Sequence, residues 1–293
     1  MRLGLPYKGS KNTIAENVVN ALPAGGKILD ACCGGGAVLM ALAQSMKYDA
    51  VVGNDLNPAT IKLLDAVLIH KGQIDYEHPQ PCSRNDFFLS LQRIENGVFT
   101  IEDCVNKYCA SFGNDGKTYL YGADIEACKL SAERMLTANT LEKRRTFYRK
   151  FIDLLNNKGR VQSLQFLQRL QSMERLERLE RLENSSIFDI DYSEFDIVYF
   201  DIPYKGTNKY DFDFDYERFY KLFDSLKIPA FCSEYDAPFT CVAEFKKTQI
   251  MAASVGSTKS TTKEKLYFNG TKEEYKALMG RNYDDKAVQT SFI

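Results

Sequence analysis

The chain has 293 residues, 44% of them hydrophobic, and a formal net charge of −1, so there is room for one large or two modest domains with an ample buried core. No apolar run reaches the roughly 18 to 20 residues that cross a bilayer, and the N-terminus MRLGLPYKGSKNTIAENVV lacks an apolar stretch with a small-residue cleavage site, so a non-exported, cytoplasmic protein is expected. Eight cysteines without a CxxC pair, and two histidines (His70, His78) far from any ligand-like spacing, argue against a disulfide framework and against a bound metal.

Ile14, Ala15, Val18, Val19 and Leu22 recur at helical spacing, which predicts a helix from near Asn12 to Asn20, ahead of Pro23. KILDA then reads as a buried strand ending at Asp30, Gly34-Gly35-Gly36 as a tight loop, and AVLMALAQ as a helix. DAVVGND predicts a second buried strand ending at Asp55, followed by a helix over PATIKLLDAVLIHKG with Pro58 in its first turn. Strands alternating with helices imply a doubly wound α/β fold with a parallel sheet.

Between residues 73 and 160 the strand rhythm is lost, and the stretch reads as a mainly helical insert. Residues 129 to 160 carry nine Lys/Arg against three acids, and residues 187 to 217 nine acids against two lysines; this polarity suits steering a phosphate backbone to one face, and equally a solvated helix face. Residues 161 to 183 form a three-residue leucine repeat that ends in ERLERLERLE. A three-residue step turns about 300° on an α-helix, so the leucine row leaves any single face, and an exposed helix supported by Glu174–Arg178 and Glu177–Arg181 is expected instead of a coiled coil. FDIVYFDIPY and IPAFCSEY read as further buried strands, and CVAEFKKTQIMAAS and KEKLYFN as an antiparallel pair, joined by a loop at VGSTKSTTK. The expected domains are therefore 1–72 with 184–293, an insert at 73–160, and the repeat at 161–183.

Glycines after a first strand let backbone approach a ligand closely, and an acid ending the second strand can grip ribose hydroxyls; Asp55 lies 19 residues past Gly36, near the spacing of about 20 for that role. CCGGGA does not supply the GxGxxG of a dinucleotide site. Asp201-Ile202-Pro203-Tyr204 puts an acid at a strand end, then a rigid ring and an aromatic face. For a flipped adenine, the Asp201 carboxylate and the Ile202 carbonyl could accept the two N6 hydrogens, leaving the nitrogen lone pair aimed at a methyl donor, with proximity and orientation in place of a metal.

In this order the motifs resemble the Dam-type, class D12, DNA adenine-N6 methyltransferases of bacteria and their phages. YKGSK resembles the first family motif, LDACCGGGAV the glycine-rich cofactor loop with Cys32 where an aromatic is usual, GNDLNP the motif of the ribose acid, and DIPY the DPPY tetrad. The resemblance implies a Rossmann-like class I fold and S-adenosylmethionine as donor, held by Tyr7, Lys11, Asp30, Cys32, Gly34, Gly36, Asp55 and Asp201. Tyr7 would pack on the donor and Lys11 would contact its carboxylate, while Asp201, Pro203 and Tyr204 would be catalytic. Double-stranded DNA would be the partner of a monomer, in a restriction–modification or phage setting. The insert would read DNA through a hairpin at 111–122 (Asn114, Lys117, with Tyr119 and Tyr121 stacking) and clamp phosphates with Arg144, Arg145, Arg149 and Lys150. Pro6 stands where relatives often carry a guanine-reading lysine, so no particular DNA word is implied. Cytosine-N4 methylation and a decayed, non-catalytic DNA-binding module remain alternatives at this point.

Overall fold

The computed structural model describes residues 3–7, 9–76, 80–154, 170–171, 173, 176–205, 214–252 and 257–280, with backbone alone at 247–252 and 257–262. The chain forms two compact units, one drawn from Lys11–Leu56 and the chain from Leu176 onward, the other from Gly4–Ser10 and Asn57–Arg175. Among the described residues no helix is long and apolar enough to cross a membrane.

The first unit holds a seven-stranded sheet in the order β3-β2-β1-β4-β5-β7-β6, with β1 Gly25–Asp30, β2 Tyr48–Asn54, β3 Leu179–Glu183, β4 Ile197–Phe200, β5 Ala230–Glu234, β6 Thr240–Ala252 and β7 Ser257–Phe268. The first five are parallel, and β7 and β6 close the sheet antiparallel. Ile28, Leu29, Val51, Val52, Val198, Tyr199, Phe200 and Phe231 are fully buried, as continuous apolar runs covered on both faces require. Helix α1 spans Ala15–Asn20, and α2 spans Ala37–Gln44 with every residue from Ala37 to Ala43 buried. Helix α8, Tyr216–Ser225, is capped by Asp215 and buries Phe219 and Phe223 against Phe200; α9 spans Lys272–Gly280.

The end of the leucine repeat is not helical. Leu179–Glu183 is an edge strand, parallel to β2, with Val51 opposite Leu179 and Asn54 opposite Glu183. The open edge of β2 offers unpaired backbone groups that a helix could not satisfy. The ion pairing follows strand geometry too: Arg181 Nε meets Glu183, two residues on, at 2.6 Å, and Arg181 Nη2 meets Glu194 at 2.8 Å, in place of the expected partner four residues back. Leu182 packs over Gly53, where an added Cβ would stand 2.7 Å from Leu182 Cδ2 and 2.9 Å from Leu39 Cδ1. Of the rest of the repeat, residues 161–169, 172 and 174–175 lie outside the described residues, and with them the expected Glu174–Arg178 pair. Of the loop expected at VGSTKSTTK, residues 255–256 lie outside the described residues and the rest is corrected, since β7 begins at Ser257 and its threonines suit extended backbone.

The second unit packs α3 (Pro58–Leu68), α4 (Arg84–Glu95), α5 (Ile101–Cys109), α6 (Glu126–Thr137) and α7 (Leu141–Asp153). Asn57 caps α3, and Ser83/Asp86 and Thr100/Asp103 form reciprocal capping boxes on α4 and α5. The unit boundaries differ from the expected 72/73 and 183/184. Helix α3 joins the insert because Tyr108 of α5 bonds Thr60 at 2.6 Å and Lys62 reaches the Phe99 carbonyl at 2.7 Å, whereas the repeat's last strand joins the sheet.

Candidate active site

In a doubly wound sheet, ligands bind beyond the carboxyl ends of the strands, where the strand order reverses. Here the chain runs outward from β1 to β2 and β3, then returns to place β4 on β1's other side, so the reversal lies between Asp30 and Asp201. The loop after β1 is fixed by backbone bonds: Ala31 N–H donates to Tyr199 O (2.8 Å), Cys33 N–H to Asn54 O (2.8 Å) and Gly36 N–H to Cys33 O (2.8 Å). Gly34 and Gly36 adopt φ values of 47° and 76°, which side-chain-bearing residues rarely take, and Gly36 leads directly into α2. Asp55 Oδ2 accepts the Gly34 amide at 2.8 Å, so the second strand's acid and the glycine loop form one cradle. Asn54, completely buried, ties it further by donating to the carbonyls of Ala31 (2.9 Å) and Ser185 (3.0 Å).

Asp30 is 1% exposed, and neither carboxylate oxygen has a partner of full hydrogen-bond geometry. Burial, reinforced by the nearby charges of Asp201 and Asp55, raises its pKa well above the usual carboxylate range. Such a group calls for a donor or cation to settle against it. Burial likewise pushes the thiols of Cys32 and Cys33 well up, so both act as small packing groups and not as nucleophiles.

Lys11 ties the N-terminal motif to the tetrad. Its ammonium, 3% exposed, lies 2.9 Å from Asp201 Oδ1 and 2.9 Å from Glu264 Oε2, and also donates to the Tyr204 hydroxyl. The Tyr204 hydroxyl in turn donates to Glu264 Oε2 at 3.0 Å. Burial opposes charge on Lys11, but Asp201 and Glu264 outweigh it and leave the lysine pKa raised; burial, aided by the same two carboxylates, drives the Tyr204 phenol far up, so it stays protonated. Pro203 is fixed through its carbonyl, which accepts from Tyr216 at 2.9 Å, and Tyr204 meets Tyr235 edge-on at 4.6 Å. Asp201 keeps 26% of its side chain exposed, Ile202 is buried, and both flank the same strand end.

Glu264 was not legible as a site residue. Its only trace is an acid on the inward side of KEKLYF, in register with Leu266 and Phe268. Tyr7 belongs to the other unit, with its ring 5.9 Å from that of Tyr108.

The motifs and the fold agree with a comparison across protein families: residues 7–269 match the model of the D12 class N6 adenine-specific DNA methyltransferases. The chain belongs to that family. It is an S-adenosylmethionine-dependent methyltransferase that acts on the N6 amine of adenine in DNA, so the cytosine-N4 and non-catalytic alternatives fall away. No curated protein matches the chain. The donor fits the residues present, because the positive-φ glycines open the backbone after β1 and the buried Asp30 carboxyl has no partner of full hydrogen-bond geometry among the described residues.

In the methyltransferase's insert the expected hairpin is reduced to one antiparallel bridge, Ser111 to Tyr119, with a 3₁₀ turn at Phe112–Asn114 and Asn114 at φ 56°. Tyr119 and Tyr121 are not available for base stacking. They are 4% and 6% exposed, pack with Phe87, and donate their hydroxyls to Cys82 O (2.8 Å) and Glu133 Oε1 (2.6 Å). A small helical unit needs aromatic bulk for its core, and these tyrosines supply it. Lys117 is exposed at the turn, whose Asp115 carboxylate accepts from the amides of Lys117 and Thr118 at 2.8 Å each. Arg144, Arg145, Arg149 and Lys150 are all exposed on α7, a helix with no buried residue.

Proposed function

We propose that this adenine-N6 methyltransferase acts at a short, specific sequence of double-stranded DNA, as a monomer, with the target base everted to Asp201, Pro203 and Tyr204. The observation that carries this reading is the Lys11–Asp201–Tyr204–Glu264 cluster at the strand-order reversal, which fixes a partly exposed carboxylate beside a buried aromatic network. Asp201 accepts one N6 hydrogen and the Ile202 carbonyl the other, while Tyr204 offers a ring to the base. Ile202 in place of a proline alters rigidity and leaves the carbonyl. Lys11, its charge already matched by two protein carboxylates, acts as the positioning residue for Asp201.

Asp30, Cys32, Gly34, Gly36 and Asp55 would hold S-adenosylmethionine, which would supply the electrophilic methyl group when bound; for Tyr7 the family resemblance alone implies packing on the donor. With the two N6 hydrogens held by acceptors, the amine lone pair would be aimed at that methyl; transfer would break its bond to sulfur, leave the thioether, and release one N6 proton towards the Asp201 carboxylate, with orientation supplying most of the rate. Arg144, Arg145, Arg149 and Lys150 bind phosphates, and Asn114 and Lys117 sit at the reading turn. A mark at one short word fits protection from a restriction partner or of a phage genome.

The test is long-read sequencing of plasmid DNA from cells lacking their own adenine methylase that express the wild type or Asp201→Ala. Modified adenine at one motif, absent with Asp201→Ala, is the expected result. Modification scattered over all adenines, or persisting in the variant, overturns the reading.

A further inference from the structure

A second acid stands at the same end of the sheet, and neither the donor cradle nor the amine clamp uses it. Glu234 ends β5, is 1% exposed, and lines a cavity of about 460 Å³ together with Lys205, Tyr220, Tyr235 and Pro238. That volume falls within the roughly 300–1,000 Å³ of small-molecule sites. Its Oε1 accepts the Lys205 amide at 3.2 Å, the residue directly after the tetrad, while Oε2 is buried with no hydrogen-bond partner among the described residues. The edge-on contact of Tyr235 with Tyr204 puts the wall of this cavity against the tetrad's aromatic ring. A buried carboxyl oxygen left without a partner beside a cavity calls for one, whether a water or a bound group.

We propose that Glu234 reads the ring edge of the everted adenine, its carboxyl O–H donating to N1, the acceptor that flanks the N6 amine. N1 loses its pairing partner when the base leaves the duplex, so it requires a donor in the pocket. Guanine carries an N–H at that position and would set donor against donor, so the same group rejects it. The inference rests on Asp201–Tyr204 being where the amine is held.

The carboxyl must be protonated to serve, and its surroundings favour that state. Facing it are Lys205 after β4, Tyr216 and Tyr220 on α8, and Lys265, its register partner on β7, with Lys11, ahead of α1, within electrostatic reach. Cys232, Tyr235 and Asp236 flank it on its own strand and turn. The cations are engaged elsewhere: Lys11 by Asp201 and Glu264, Lys265 with Asp236 at 3.7 Å, and Lys205 with its ammonium 6.0 Å from the centre of the Tyr216 ring. Burial therefore wins over three supporting backbone amides and pushes the Glu234 pKa up to about 7.

The test is kcat/KM for tritiated methyl transfer from S-adenosylmethionine to unmethylated plasmid DNA, from pH 6 to 9, for the wild type, Glu234→Gln and Glu234→Ala, with Asp201→Ala as control. Wild-type activity should fall above about pH 7 as the donor proton is lost. Glu234→Gln, whose amide always donates, should stay active and lack that alkaline fall, and Glu234→Ala should lose about tenfold or more at pH 6.5, the worth of one hydrogen bond. A donor dissociation constant unchanged in both variants belongs to the expected result. An alkaline fall shared by the wild type and Glu234→Gln, or Glu234→Ala within threefold of the wild type, overturns the proposal. Activity in Asp201→Ala would instead overturn the amine clamp on which it rests.

Discussion

Replacing Lys11 by methionine keeps the length of the side chain and removes the ammonium that stands 2.9 Å from both Asp201 Oδ1 and Glu264 Oε2. Glu264, only 2% exposed, is then a buried carboxylate opposite a second one, while Asp201 retains some access to water at 26% exposure. Breaking a buried pair from one side costs about 3–5 kcal/mol, because the remaining charge stays desolvated. For a chain of this size that corresponds to a fall in melting temperature of roughly 10 °C. The orphaned acid should also make the penalty depend on pH. With its folded pKa raised above the unfolded value, its stability contribution is present at low pH and lost as pH rises through the folded pKa, so the penalty should shrink from pH 7.5 to pH 5. In the wild type the corresponding loss has the same sign but comes at far higher pH: the folded pKa of Lys11 lies above 10.5, and its contribution persists until pH passes that value. Adding Glu264→Gln to Lys11→Met removes the buried charge and should recover part of the loss. Thermal unfolding followed by circular dichroism, over that pH range, measures all of this. A Lys11→Met protein that melts within about 2 °C of wild type, or a double variant less stable than Lys11→Met alone, would refute the reasoning.

Asp103, 1% exposed, accepts from the Arg93 guanidinium at 2.9 Å and from the Thr100 amide at 2.8 Å; burial pushes its pKa up, but these bonds outweigh it and hold the pKa down at about 2. Its roughly 2 kcal/mol of stability should be present above the unfolded carboxylate pKa and be lost as pH falls towards 2, and Asp103→Asn should flatten acid unfolding in that window. Gly53→Val meets Leu182 and Leu39 at under 3.0 Å, so it should cost about 1–3 kcal/mol by urea denaturation. Replacing Arg144, Arg145, Arg149 and Lys150 together with alanine should weaken DNA binding with little sequence preference and flatten the plot of log affinity against log salt by about 0.9 for each phosphate that is no longer neutralised. By contrast, Tyr119→Phe should leave DNA affinity unchanged and cost about 1 kcal/mol of stability, since its hydroxyl serves the Cys82 carbonyl.

The Rossmann-like sheet, the cofactor loop and the tetrad could be read from the amino acids alone, because each is written in local chemistry. Short apolar runs such as IVYF, bounded by turn signals, suit buried strands, glycines open the turn at positions 34 and 36, and acids stand at or just past the strand ends at Asp30, Asp55 and Asp201. Periodicity misled where tertiary demand was stronger than local preference. The leucine repeat gives no single helical face, and the open edge of β2 drew its last residues into β3. Tyr119 and Tyr121, plausible as exposed stacking rings from sequence, went to the insert's core, where they pack with Phe87 and Leu120 and their hydroxyls find buried acceptors. Folding alone joins Lys11 to Glu264, which is 253 residues away in sequence, and places Glu234 against a cavity beside Tyr204. Local chemistry settles which residues end a strand, but the order of the strands decides which of those ends meet, and that order follows from burying the whole sheet at once.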